Sequence, residues 1–382
     1  MTHWDYIVVG GGVMGSATAY QLARRGERVL LLEQFAIGHT RGSSHGHSRI
    51  IRYSYETPGY VQLMIAAYHA WAAVEQDAST QLIHVVGGLD VGEPETPSLQ
   101  ACHASLQANG IACEWLDQRA LAERFPQFRL SESMVGLYQA DAGILPASHC
   151  VATLAAQARR YGADVRENVA VQRIKADGDG VMVQTPQATY LAGRVVVTAG
   201  SWVPALLHDL GLDLPLTVTR EQVVFFAPRR PELFAPGRFP IFISYGATKR
   251  EGSAFNFYGF PIFGLAGIKV AQHHAGVVIH PDDDNTAPDL AATKRVQAYV
   301  EQALPDAAGE VFHAETCRYT STPDMDFILD CHPVHPQIVV GSPCSGHGFK
   351  FGALIGRILA DLAQSDTTQH AIAPFTLRRF GV

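Results

Sequence analysis

Tyr6-Ile7-Val8-Val9-Gly10-Gly11-Gly12-Val13-Met14-Gly15 is the stretch from which the rest of the chain can be read. Four apolar residues without polar alternation predict a strand buried on both faces, as in a parallel sheet. The spacing Gly10-x-Gly12-x-x-Gly15 then ends the strand and opens a helix. The first glycine permits a tight turn, the second lets backbone approach a pyrophosphate, and the third lets helix and strand pack closely. The helix N-terminus offers N–H groups and partial positive charge to phosphates. Arg24 and Arg25 in the last turn, with Gly26 beyond them, are a sensible stop. Val29–Leu32 predicts a second buried strand, and Glu33 follows 18 residues after Gly15, close to the spacing of an acid that binds a ribose diol. Such an acid repels a 2′-phosphate, which argues against NADP. The motif predicts nucleotide binding and does not choose between FAD and NAD.

Outward from this unit the pattern recurs with interruptions. Thr57-Pro58 predicts an N-cap and first turn, after which Val61, Met64, Tyr68 and Trp71 form a helical stripe. Residues 149–161 predict a helix leading to strands at Val165 and 169–174, and residues 194–200 repeat the strand-then-glycine pattern. Residues 327–329 and 338–340 predict parallel-type strands, and 349–363 a closing helix. Between these pieces, residues 82–140 alternate short apolar segments with polar helices. Residues 217–323 carry strand-like runs (222–226, 255–258 and 276–279) separated by Pro, Gly and Asp, which predicts a mostly antiparallel sheet. The expected fold class is α/β, α+β overall. A Rossmann-type nucleotide domain (1–84, 146–216 and 324–382) is interleaved with a mostly antiparallel substrate domain (85–145 and 217–323).

Composition narrows the function. The chain has 382 residues, 47% of them hydrophobic, which places it among globular proteins of about two domains. Its 29 basic and 36 acidic residues give a net charge of −7, so a nucleic acid or an anionic membrane is an unfavourable partner. Six cysteines without C-x-x-C spacing predict neither a disulfide scaffold nor zinc, but a reduced, cytoplasmic protein. Residues 6–23 are uncharged, yet Asp5 precedes them and they contain four glycines with Ser16, Thr18 and Gln21, so no membrane segment is expected. Residues 378–382 match no targeting tag. His45 and His47 lack a third ligand nearby, and Asp282-Asp283-Asp284-Asn285 lacks the Gly and distal Glu of a calcium loop. No metal is expected.

Three further constellations carry chemistry. In Ser43-Ser44-His45-Gly46-His47-Ser48-Arg49-Ile50-Ile51-Arg52-Tyr53-Ser54-Tyr55 the small residues allow close approach to a planar ligand, and arginine suits a carboxylate. Arg49 and Arg52 share a face if the stretch is helical and point apart if it is extended. The second is Cys317-Arg318-Tyr319-Thr320. The third is Ser345-Gly346-His347-Gly348-Phe349-Lys350, where Lys350 in a first helical turn opposes the dipole and so suggests function. Together with Tyr258-Gly259-Phe260-Pro261 and Asp326-Phe327-Ile328, these stretches resemble the monomeric sarcosine oxidase family, which includes N-methyltryptophan oxidase and pipecolate oxidase. The resemblance runs from Asp5 to about Phe380.

The resemblance implies FAD attached by a thioether from Cys317 to the 8α-methyl of the isoalloxazine. It implies that Arg52 and Lys350 hold the substrate carboxylate with Tyr55 beside them, and that Arg49 lies close to the flavin ring. Tyr258, His273 and Tyr319 match positions around the amine, and Lys269 matches the lysine that serves oxygen. Gly10, Gly12, Gly15, Glu33, Ser43, Ser44, Val171, Gly346 and Gly348 complete the implied cofactor site. The implied reaction oxidises sarcosine or another N-methyl amino acid to an iminium, which water converts to amino acid and formaldehyde, while O₂ becomes H₂O₂. A cyclic secondary amino acid of the L-pipecolate type is the alternative substrate, and a flavin dehydrogenase with another acceptor is the alternative enzyme. An NAD-dependent dehydrogenase leaves Cys317 unexplained, and a nucleotide-binding sensor without turnover leaves Arg52, Lys350 and Cys317 unexplained. Two cations on one carboxylate predict excess positive charge beside the flavin. A monomer is expected. The segment 244–253, with Lys249, Arg250 and Glu251, is longer and more polar than in the sarcosine enzymes and is expected to reach over the pocket.

Overall fold

The apolar run forms the strand His3–Val9, paired in parallel with Val29–Leu32 on one side and with Thr189–Val197 on the other. The computed structural model describes residues 3–246 and 257–381, so most of the polar segment 244–253, with Lys249, Arg250 and Glu251, lies outside the described residues. Asp164–Arg166 extends the parallel sheet beyond Val29–Leu32, and Ile338–Ser342 extends it beyond Thr189–Val197. Both faces are covered. Val8 and Leu31 pack beneath the helices Val13–Arg24, Pro58–Ala78, Ala147–Arg160 and Gly352–Ser365. Ile7, Val9, Leu30 and Leu32 pack on the opposite face with Val203 and Leu207. Burial on both sides is the physical reason the run shows no polar alternation.

Several local expectations are corrected. Ile328–Cys331 pairs antiparallel, not parallel, with Ile338–Ser342, because the short connection between them leaves no room for a crossover. Residues 169–172 run outside the sheet, whose strand begins at Arg173. Thr57 has the extended backbone of an N-cap, but its side chain caps nothing. Phe349–Phe351 is a 3₁₀ turn ahead of the final helix, so Lys350 precedes that helix rather than sitting in its first α-turn.

The second sheet is built around Thr217–Phe226, which pairs antiparallel with Ile268–Gln272 and with Val311–Ser321. It continues through Phe257–Phe260, Ile241–Ser244, Gly88–Gly92, Val135–Gln139 and Glu114–Leu116, with one parallel pairing, between Ile241–Ser244 and Gly88–Gly92. Phe226, Phe234, Phe239 and Phe242 fill its main core. A small three-stranded sheet joins Arg49–Ile51 and His84–Val85 to Gly143–Leu145. The first large sheet thus draws on three separated stretches of chain, and the second on two. Among the described residues no helix is long and apolar enough to cross a membrane.

Candidate active site

A cavity of about 540 Å³ opens where the strand His3–Val9 gives way to the glycine turn, and it runs to the strand Val311–Ser321. Of the site residues expected from the sequence, all line this cavity except Gly15. Gly15 lies behind the wall, where an added Cβ would strike the carbonyl oxygen of Gly10. Gly10 itself has φ +101°, which an L side chain rarely adopts. Both carboxylate oxygens of Glu33 are held by backbone: Gly11 N–H donates at 2.6 Å and Phe35 N–H at 2.9 Å. Burial pushes Glu33 up from its ordinary pKa while these donors pull it back. The helix Val13–Arg24 has no acid in its first turn and no side-chain cap from Gly12, which leaves its positive end to the cavity. Ser44 Oγ accepts from Val13 N–H at 3.1 Å, bringing the 43–44 turn against that end. An anion-binding helix end, an acid anchored at the next strand and the apolar wall of Val169, Val171 and Leu206 fit the pyrophosphate, ribose and ring of FAD.

Beyond the glycine turn the chain bends through residues 41–47, with Gly46 at φ +97°, and then Arg49–Ile51 forms a strand, which settles the geometry of the two arginines. Arg49 donates to the carbonyl oxygens of Ser48, at 2.9 Å, and Ser43, at 3.0 Å. The Ser48 carbonyl also accepts from Lys269 Nζ at 2.9 Å, and Ser48 Oγ accepts at 3.0 Å, so one loop carbonyl ties both cations. Lys269 is 3% exposed, and its Nζ lies 4.6 Å from the Phe260 ring centroid. Burial, helped by Arg49, lowers its pKa to about 7. Cys317 is a free thiol on Val311–Ser321, raised in pKa by burial and drawn back by Arg49.

Arg52 turns the other way. Its Nη1 donates to Asp90 Oδ2 at 2.6 Å, and Ser54 Oγ donates to the same oxygen. Burial opposes the charge on Arg52, but the Asp90 carboxylate outweighs it and keeps the guanidinium protonated. The expected excess of positive charge is therefore corrected: a buried acid offsets one of the two cations.

Lys350 sits in a directed chain of hydrogen bonds. His347 Nε2 lies 3.0 Å from the Met325 carbonyl, which can only accept, so Nε2 carries the proton. Burial and the neighbouring Lys350 push His347 down to about 3, so the ring is neutral and Nδ1 is an acceptor. Tyr55 Oη, 3.1 Å away, donates to Nδ1 and accepts from Lys350 Nζ at 3.0 Å. Lys350 also donates to the His347 carbonyl at 2.9 Å; burial and Arg52 hold its pKa well below the ordinary value, so it is the protonated form that has one N–H left for the cavity. Met325 has φ +63°, which points to a backbone held by its surroundings. Trp71 Nε1 holds the Lys350 carbonyl at 2.7 Å.

At the pocket's third side, Tyr319 Oη lies 3.4 Å from His273 Nδ1, and the rings of Tyr258 and His273 meet edge to face at 6.1 Å. Burial holds His273 well below its ordinary pKa and so neutral. An added Cβ on Gly346 would run into Tyr319 and His273, so only glycine lets this turn meet the pair.

Sequence reasoning missed Asp90, Ser48, Glu221 and the hydrogen-bonding role of His347. Glu221, paired in register with Cys317, is 3% exposed and accepts from Ala275 N–H at 3.1 Å and Gly276 N–H at 3.0 Å. An acid inside an otherwise apolar strand was the available signal for Asp90. The stretch Asp282–Asn285 also clamps the site's rim: Arg318 donates to the carbonyls of Pro281 and Asp283, and Trp202 Nε1 donates to Asp282 at 2.7 Å. Among the described residues, no cluster of His, Cys, Asp or Glu could hold a metal ion.

Comparison with known proteins agrees with this geometry. The profile of one family, DAO: FAD dependent oxidoreductase, matches residues 5–362. Monomeric sarcosine oxidase of Streptomyces avermitilis is 38% identical, the alignment covering 98% of this chain and 97% of that protein. Peroxisomal sarcosine oxidase of Mus musculus is 36% identical over 99% of this chain and 96% of its own length. Among solved structures, NikD, an unusual amino acid oxidase essential for nikkomycin biosynthesis, superposes with a TM-score of 0.87 at 27% identity, covering 98% of each chain.

Proposed function

The chain belongs to the FAD-dependent oxidoreductase family, alongside its sarcosine oxidases, and from that premise we propose how its cavity works. The protein is an FAD-dependent amine oxidase acting on the CH–NH bond of an N-methyl amino acid, with sarcosine the first substrate. When bound, FAD would supply the acceptor for the electron pair lost from the carbon beside nitrogen and the donor that reduces O₂ to H₂O₂. The substrate-derived iminium is then hydrolysed, for sarcosine to glycine and formaldehyde.

This chain's residues bind, orient and hold protons. The glycine turn, Glu33, Ser43, Ser44 and Val171 line one end of the cavity and would hold the nucleotide, and Gly346 and Gly348, at the other, would hold the flavin. The remaining N–H of Lys350 and the cavity edge of Arg52 orient the carboxylate, while Tyr55 holds Lys350 in place. Tyr258, His273 and Tyr319 frame the amine. A neutral His273 neither repels the amine nor protonates it, which favours the uncharged nitrogen the reaction requires. Lys269 places a buried cation where O₂ gains charge, and Arg49 supports the same side through the shared Ser48 carbonyl. Cys317 is the attachment point for the flavin.

The domain division 1–84, 146–216 and 324–382 against 85–145 and 217–323 is supported by which strands each large sheet recruits. We also place the protein in the cytoplasm as a monomer; its six unpaired cysteines suit a reducing compartment.

The observation that carries this reading is one cavity holding Lys269, Lys350, Arg52 and Cys317 with the glycine turn. Purified enzyme given sarcosine should release peroxide and formaldehyde in equal amounts, and acid-precipitated protein should keep its yellow colour. A colourless pellet under a yellow supernatant removes the thioether. Absence of peroxide with sarcosine, alongside peroxide from L-pipecolate, moves the substrate to the cyclic class.

A further inference from the structure

Asp90 lies in the fully buried strand Gly88–Gly92 and is 3% exposed. It is not part of the cavity wall, yet its Oδ2 receives Arg52 Nη1 at 2.6 Å and Ser54 Oγ at 2.5 Å. Ser54 is fixed in turn, its N–H donating to Gln139 Oε1 at 3.1 Å. Arg52 is 8% exposed and presents its other edge to the cavity, beside Tyr245 and Cys102. The acid is therefore built in behind the cation expected to meet a substrate carboxylate.

An anion approaching that edge feels the attraction of Arg52 and the repulsion of Asp90 together. Coulomb energy falls with the inverse of distance, so an acid lying roughly twice as far from the anion as the guanidinium cancels about half of its pull. Directional hydrogen bonding by the guanidinium survives, because it depends on N–H groups rather than on net charge. Lys350 adds to the preference for negative charge in its protonated form, through its single remaining N–H.

We propose that Asp90 sets the specificity of the carboxylate subsite: by compensating Arg52 it makes the pocket tolerant of secondary amines that carry a neutral carboxamide or ester in place of the carboxylate. The inference rests on reading Arg52 and Lys350 as the carboxylate ligands, and the test separates the two claims.

The probes are acetate and acetamide, their binding to the holoenzyme measured by calorimetry, with N-methylglycinamide and sarcosine compared as substrates. Lys350→Met tests the underlying reading: it should weaken acetate by at least about tenfold, and an unchanged affinity removes the carboxylate site itself. Asp90→Asn keeps an oxygen for Arg52 Nη1 and removes only the charge. It should tighten acetate about tenfold, leave acetamide unchanged, and raise the preference for sarcosine over N-methylglycinamide by the same factor. If acetate binds Asp90→Asn no better, or acetamide gains equally, the proposal falls while the carboxylate reading stands.

Should Asp90→Asn fail to fold, the wild-type enzyme decides. A preference for sarcosine over its amide within about tenfold supports a compensated subsite, and a preference beyond about a hundredfold overturns it.

Discussion

Replacing Lys269 by methionine keeps the length and most of the volume of the side chain and removes the buried charge. In the wild-type protein Nζ donates to Ser48 O at 2.9 Å and to Ser48 Oγ at 3.0 Å, so two of its N–H groups are committed and the third is left for the cavity. O₂ acquires negative charge as it is reduced, and a fixed cation in a water-poor site stabilises that charge before any rearrangement. Losing one preorganised partner of this kind costs roughly 10²–10³ in rate. Lys269→Met should therefore slow reoxidation of the reduced enzyme by about that factor while reduction by substrate changes only a few-fold. The wild-type pH profile follows from the same residue. Its pKa is lowered from 10.5 to about 7, so the charged form is present below that value and lost above it. Negative charge on the reduced cofactor pulls the midpoint upward, placing the decline at or above pH 7. Across two pH units centred on the midpoint, the rate constant with O₂ should fall about tenfold, and this dependence should vanish in the methionine variant. Anaerobic reduction in a stopped-flow instrument, followed by mixing with oxygenated buffers from pH 6 to 9, measures both quantities. Equal slowing of the two half-reactions, or an unaltered pH profile in the variant, refutes the assignment. The depressed pKa has a further sign: between about 7 and 10.5 the unfolded chain binds this proton and the folded one does not, so the residue's contribution to stability rises with pH through that window.

Two other outcomes follow from close contacts. Gly15→Ala forces a methyl group against the Gly10 carbonyl and should cost about 1–3 kcal/mol of stability, with a lower flavin-to-protein ratio after purification; normal melting and full flavin content contradict the packing described. Glu221→Ala removes the acceptor of the half-buried N–H groups of Ala275 and Gly276, at about 0.5–1.5 kcal/mol for each hydrogen bond lost. Glu221→Gln retains an acceptor oxygen and should lose clearly less in chemical denaturation; equal losses would mean that charge, not hydrogen bonding, holds this turn.

Features encoded by neighbouring residues were legible directly. The uninterrupted run before Gly10, the glycine spacing and Glu33 define strand, turn and acid within a few turns of chain, because burial pattern and backbone freedom act at that range. Cys317 and Lys350 were legible through resemblance, each inside a specific short motif. Whether Arg49 and Arg52 share a face was not legible, because it depends on Arg49–Ile51 pairing with Gly143–Leu145, nearly a hundred residues away in the chain. The Asp90 partner of Arg52, the Ser48 carbonyl shared by Arg49 and Lys269, and the Met325 carbonyl that fixes the His347 proton are likewise products of folding. Sequence by itself determined the class of fold, the nucleotide end of the cavity and which cations and thiol to watch. Tertiary structure decided how those cations are compensated and which way their hydrogen bonds run. A buried charge takes its partner from whatever element packs against it, and local pattern holds no record of that neighbour.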